Sequence, residues 1–171
     1  MTVDFTKFKW KEIFGTVQQV QGLKRNQTRP LRTEIIELAI EKYSGGQLKY
    51  VGDTENGKDF IGIDGLRYEC KCKEKMFQKD NMSTEIVLRN FQGNNTGVPE
   101  KTFDVMILID TGTNSASICG WEECLENLNI KSSGVCFRVN KEKVKLIAEN
   151  IKPKKKECLS EKLRNVILES I

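Results

Sequence analysis

The stretch Asp59-Phe60-Ile61-Gly62-Ile63-Asp64-Gly65-Leu66-Arg67-Tyr68-Glu69-Cys70-Lys71 decides the fold. Apolar and polar residues alternate around Asp64-Gly65, a strong hairpin turn signal. A two-residue turn would face Ile63 with Leu66 and Asp59 with Cys70, sending Asp59 and Glu69 to opposite faces. A three-residue loop, Ile63-Asp64-Gly65, puts Gly65 in the left-handed position of a bulge and Asp59 directly opposite Glu69. Cross-strand neighbours have Cβ atoms about 4.5–5.5 Å apart, close enough for two carboxylates to share one cation. The three-residue loop is therefore the expectation. Lys71 follows Glu69 on the same face, because side chains alternate along a strand. Arg67, Glu69, Lys71 and Lys73 then line a polar face, and Tyr68, Cys70 and Cys72 a core face.

Paired acids hold a divalent cation through hard oxygen ligands, and a lysine beside them orients a water or steadies a phosphate. Such a set suits metal-dependent phosphodiester hydrolysis. Alternating charge on a strand equally suits a plain solvated face. The pattern Asp59…Glu69-x-Lys71 resembles the signature of the PD-(D/E)xK nuclease superfamily, which includes many type II restriction endonucleases. The resemblance implies an α/β fold with a mixed central β-sheet flanked by helices, restriction-endonuclease-like, and the hairpin inside that sheet. It implies Mg²⁺ held by Asp59, Glu69 and the backbone carbonyl of Cys70, with Mn²⁺ as a substitute, and Lys71 as the catalytic lysine. Lys58 stands where the family has a proline, which leaves Asp53 open as an alternative to Asp59. Asp64 belongs to the turn, ~16 Å along the strand from Glu69. A helix ahead of the hairpin often supplies one more acid in this family. The matching helix here is 31–43, with Glu34, Glu37 and Glu41; Glu34, beside Leu31 and Leu38, is the expected one.

The chain has 171 residues, enough for one domain with a well-buried core. The expected division is a helical N-terminal segment 1–45, a sheet core 47–139 and C-terminal helices 141–171. No apolar run approaches the length of a membrane span, and Met-Thr-Val-Asp-Phe is no signal peptide. A cytoplasmic protein with no membrane partner is expected. The absence of histidine excludes Ser-His-Asp and Cys-His catalysis, HExxH zinc sites and histidine-dependent nucleases. The six cysteines contain no CxxC pair, so buried reduced thiols are expected rather than a zinc site. A net charge of +4 permits nucleic-acid binding without requiring it.

Apolar periodicity predicts helices over 4–21, 31–43, 121–127, 141–150 and 157–171, and strands over 47–52, 85–91, 103–110, 115–120 and 134–139 beside the hairpin. The most apolar, 103–110, belongs in the middle of the sheet. The implied partner is double-stranded DNA. Lys73, Lys79 and Arg89 would hold phosphates, and Asn90, Gln92, Asn94 and Asn95 would read bases, since Asn and Gln bond adenine at two atoms. Cutting both strands of a duplex suggests a homodimer, with helix 157–171 as a candidate contact. A junction-resolving or repair nuclease of the same fold, and a non-catalytic nucleic-acid-binding module, are the alternatives.

Overall fold

The computed structural model describes residues 1–21, 29–52, 58–88, 100–131 and 134–152. After a helical turn at Phe5–Lys7 come α1 (Trp10–Gln21) and α2 (Arg29–Tyr43). Next are β1 (Leu48–Tyr50), β2 (Phe60–Gly62), β3 (Arg67–Lys73), β4 (Ile86–Leu88), β5 (Val105–Asp110) and β6 (Ser115–Gly120). Then follow α3 (Trp121–Leu125), β7 (Leu128–Lys131), β8 (Gly134–Phe137), a turn at Lys141–Lys143 and β9 (Lys145–Ala148).

Two sheets form. The larger has six strands in the order β1-β2-β3-β5-β6-β9, and the smaller has the order β4-β8-β7. The large sheet is mixed: β3 runs parallel to β5 and the other neighbours are antiparallel. β5 is interior, as its apolar run predicts, and Met106 through Asp110 are all buried.

Alternation along β5 feeds two cores. Ile107 and Ile109 face α1 and α2, where they join Ile13, Phe14, Val17, Ile40, Phe60, Tyr68 and Cys70. Met106 and Leu108 face the other way, into a core with Met76, Ile86, Phe103, Trp121 and Phe137. Helices thus cover one face of the large sheet, and the small sheet with α3 covers the other. α2 stops at Ser44-Gly45, where the left-handed φ of +67° suits a residue without a Cβ. At the far end of β5 the buried Asp110 accepts from the N–H groups of Met76, Gly112 and Thr113, tying the strand end to the connector after β3.

Three expectations are corrected here. Segment 141–150 is not a helix: Lys145–Ala148 pairs with β6, extending the sheet by one strand. Strand 134–139 is shorter and sits in the small sheet, not the large one, and β7 arises in a segment with no predicted element. The layer opposite α1 and α2 is mostly β rather than helical. Helix 157–171 lies outside the described residues. No helix among the described residues is long and apolar enough to cross a membrane.

Candidate active site

The β2–β3 register is Ile61↔Arg67 and Phe60↔Tyr68, and the N–H of Gly62 bonds the carbonyl of Leu66 at 2.9 Å. This is the expected three-residue loop Ile63-Asp64-Gly65. Gly65 has a φ of +77°, the left-handed conformation that the loop requires and that costs glycine least. Asp64 is a structural acid. It accepts from the Val3 and Leu66 N–H groups and from the Tyr68 hydroxyl.

In that register Asp59 would be the next partner of Glu69, but regular pairing stops at Phe60. The chain bends at Asp59, whose N–H donates to the Tyr68 carbonyl at 2.8 Å. Its Oδ2 accepts the Cys70 N–H at 2.7 Å, taking the place of a strand partner on the β3 edge. Backbone groups alternate sides along a strand, so the Cys70 carbonyl points to the same edge as its N–H. Asp59 and the Cys70 carbonyl therefore share the place where the hairpin opens.

Glu69 is 5% exposed, and its Oε1 is ion-paired with the Lys71 ammonium. Burial pulls the Lys71 pKa down, but Glu69 first and Asp59 second pull it up further, to a net rise. Lys71 is therefore a cation at neutral pH, suited to donate hydrogen bonds and offset negative charge rather than to act as a base.

Of the acids on α2, Glu37 is buried beside Cys70, whereas the expected Glu34 is not. Glu37 is 3% exposed, and its charge, with that of Asp59, helps burial raise the Cys70 thiol pKa. Glu34 is exposed. Choosing Glu34 rests on Leu38 as a core residue, yet Leu38 is 42% exposed. At 100° per residue Glu37 lies about 60° from the buried Ile40 around the helix, and Glu34 about 120°.

Asp59 and the Glu69–Lys71 pair thus lie together at the hairpin opening, while Glu37 sits by Cys70 on the helix-facing side of the same strand. No family model and no curated protein matches this chain. The donor types suit a hard divalent cation, being carboxylate oxygens and one backbone carbonyl. Among the described residues no three acidic, cysteine or histidine side chains are grouped so as to enclose an ion, and Glu69 is turned to Lys71.

The other expected residues separate. Arg67 forms a two-pronged pair with Asp104, at 3.0 and 3.1 Å, and holds that carboxyl well below the usual carboxylate range. Lys73 is partly buried and donates to the Glu85 carbonyl, so it ties the two sheets together instead of standing ready for a phosphate. Lys79 is exposed. Asp53, Arg89, Asn90, Gln92, Asn94 and Asn95 lie outside the described residues.

Tyr68 and Cys70 are buried in the helix-side core and Cys72 packs against it, as alternation requires. Burial raises the Cys70 thiol and pushes Cys72 up to about 12. Both are thus protonated and shielded at pH 8, and native-state labelling by a thiol reagent should be slow at each with activity retained. Cys70→Ala should cost about 1–2 kcal/mol in denaturant unfolding through the small cavity it leaves. Rapid labelling of Cys70 with loss of activity would mean that its thiol faces the reaction.

Proposed function

We propose that this chain is a metal-dependent nuclease of the PD-(D/E)xK kind, hydrolysing phosphodiester bonds of double-stranded DNA. The observation that carries this reading is the placement of Asp59, bonded to the Cys70 N–H, beside the buried Glu69–Lys71 ion pair on the same strand. Asp59, Glu69 and the Cys70 carbonyl would hold Mg²⁺. When bound, the cation would lower the pKa of a coordinated water and neutralise charge on the scissile phosphate.

The chain's own residues do the rest. Lys71 orients the attacking water and balances the charge that grows on the phosphoryl oxygens. Glu69, buried and paired with Lys71, fixes the ammonium in place. Asp59 is held by its bond to the Cys70 N–H, so its carboxylate is positioned before substrate arrives. Cleavage of both strands at a short symmetric sequence, as in type II restriction endonucleases, would need two copies of this single site.

One observation favours the alternative of a non-catalytic nucleic-acid-binding module. The Glu69–Lys71 pair and the Asp59–Cys70 bond already occupy oxygens that a cation would use. Incubation with supercoiled plasmid in Mg²⁺, in Mn²⁺ and in a chelator separates the readings. Discrete bands that the chelator abolishes support a sequence-specific endonuclease. A smear, or faster cutting of branched DNA, supports a repair or junction nuclease. Intact plasmid in both metals, with DNA still bound, supports the module.

A further inference from the structure

Outside the hairpin, two reactive side chains stand in contact. β6 ends at Cys119-Gly120, and Gly120 turns the chain directly into α3. The turn is tight: a Cβ on Gly120 would lie 2.7 Å from a Glu123 carboxylate oxygen. It folds Cys124 back over the end of β6, so that its sulfur lies 3.8 Å from the Cys119 sulfur. Both thiols are buried, at 5% exposure for Cys119 and 2% for Cys124, in the core that holds Phe103, Met106 and Trp121. The hydrogen bond to Cys119 and then burial raise the Cys124 thiol pKa, so Cys124 is the member of the pair that holds its proton.

A disulfide bond is about 2.05 Å long, so the sulfurs must approach by about 1.8 Å to form one. α3 can supply that movement. It has five residues, its N-cap Gly120 offers no side-chain bond, and the Trp121 N–H reaches the Asp104 carbonyl only at 3.3 Å. A helix this short opens locally with little loss of structure, and the opening admits a reagent about the size of water. Cys70 is placed differently. Its N–H is bonded to Asp59, and β3 is paired with β5 throughout Tyr68–Lys73, so its thiol is reached only when the sheet itself opens.

We propose that Cys119 and Cys124 are an oxidative modification site, which a small peroxide converts to an intramolecular disulfide that staples α3 to the end of β6. In the opened state the Cys119 thiolate attacks one oxygen of hydrogen peroxide. An S–O bond forms, the O–O bond breaks, and the leaving hydroxide takes up the proton that Cys119 has lost. Cys119 is then a sulfenic acid. The Cys124 sulfur attacks the Cys119 sulfur, the S–S bond forms and the S–O bond breaks. The departing hydroxide takes the Cys124 proton. Two electrons pass from the two sulfurs to one peroxide, and two waters result. Cys119 stands in one cross-strand row with Met106 and Glu69, so the staple braces the sheet on the face that carries Glu69.

The test treats the full chain, folded and reduced, with hydrogen peroxide, then alkylates it and digests it with trypsin without reduction. Residues 102–131 contain no lysine or arginine before Lys131, so one peptide carries both sulfurs and no other cysteine. That peptide should be lighter by two hydrogens than the untreated dithiol and take up no alkyl group, and dithiothreitol should restore both sites. The peptide that carries Cys70 should stay reduced. The thermal midpoint of the oxidised protein should rise by about 5 °C and fall back on reduction, because the short closed loop restricts the unfolded chain. Cys124→Ser should show neither the mass loss nor the rise, and Cys124→Ala serves in its place if the serine variant does not fold. A peptide that stays a dithiol, that gains oxygen without losing hydrogens, or that is cross-linked to another peptide overturns the proposal. So does a fall in the midpoint on oxidation, which would mean that the bond forms in the unfolded chain.

Discussion

Lys71→Ala is expected to lower Mg²⁺-dependent plasmid cleavage by about 100- to 1000-fold, the usual loss when one preorganised donor to a transition state is removed. Glu69→Gln should fall by a similar factor, since it removes both a proposed cation ligand and the partner that fixes Lys71. DNA binding should change by no more than about threefold in either variant, because phosphate contacts elsewhere hold the duplex. Single-turnover cleavage and a binding isotherm on the same duplex separate the two effects. Glu69→Gln cutting at the wild-type rate would remove the site from this hairpin. Loss of binding in step with loss of cleavage would assign Lys71 to holding DNA rather than to the reaction.

The sequence carried the hairpin because its information is local. Gly65 tolerates the left-handed position, the loop length follows, and the face of every residue from Arg67 to Lys73 follows from the loop. β5 was legible for a related reason: consecutive residues without a charge until Asp110 suit only a strand covered on both sides. What could not be read is partner choice. β4, β7 and β8 are each three or four residues long, and nothing in so short a segment says which sheet it joins. β9 was hidden by its own irregularity. The register with β6 slips between Ala116 and Ser117, so its apolar residues do not alternate, and Val144, Ile147 and Ala148 fall at helical spacing instead. Which acid of α2 is buried was hidden for a third reason. Leu38 is apolar yet exposed, and one such residue moves the inferred edge of a helix face past the buried Glu37.

Glu37 is therefore the residue on which the catalytic reading and a purely structural one diverge. Glu37→Gln keeps the shape and the hydrogen-bonding capacity of the side chain while removing its charge. If Glu37 helps to set the field of a cation site, cleavage should fall about 10- to 100-fold, the range seen when a group supporting a metal ligand is changed. The melting temperature should then hold, because the amide keeps the shape and the hydrogen-bonding capacity of the side chain. Glu34→Gln should leave both unchanged, since that side chain is exposed. A structural acid would behave in the opposite way. It would lower the melting temperature when neutralised, because its partners would lose a charged acceptor, and cleavage by the folded fraction would stay at the wild-type rate. Glu37 is buried on the helix-facing side of the strand whose other face carries Glu69 and Lys71, so a fall in cleavage with no fall in melting temperature would mean that its charge acts on the site through that strand rather than on the packing of α2.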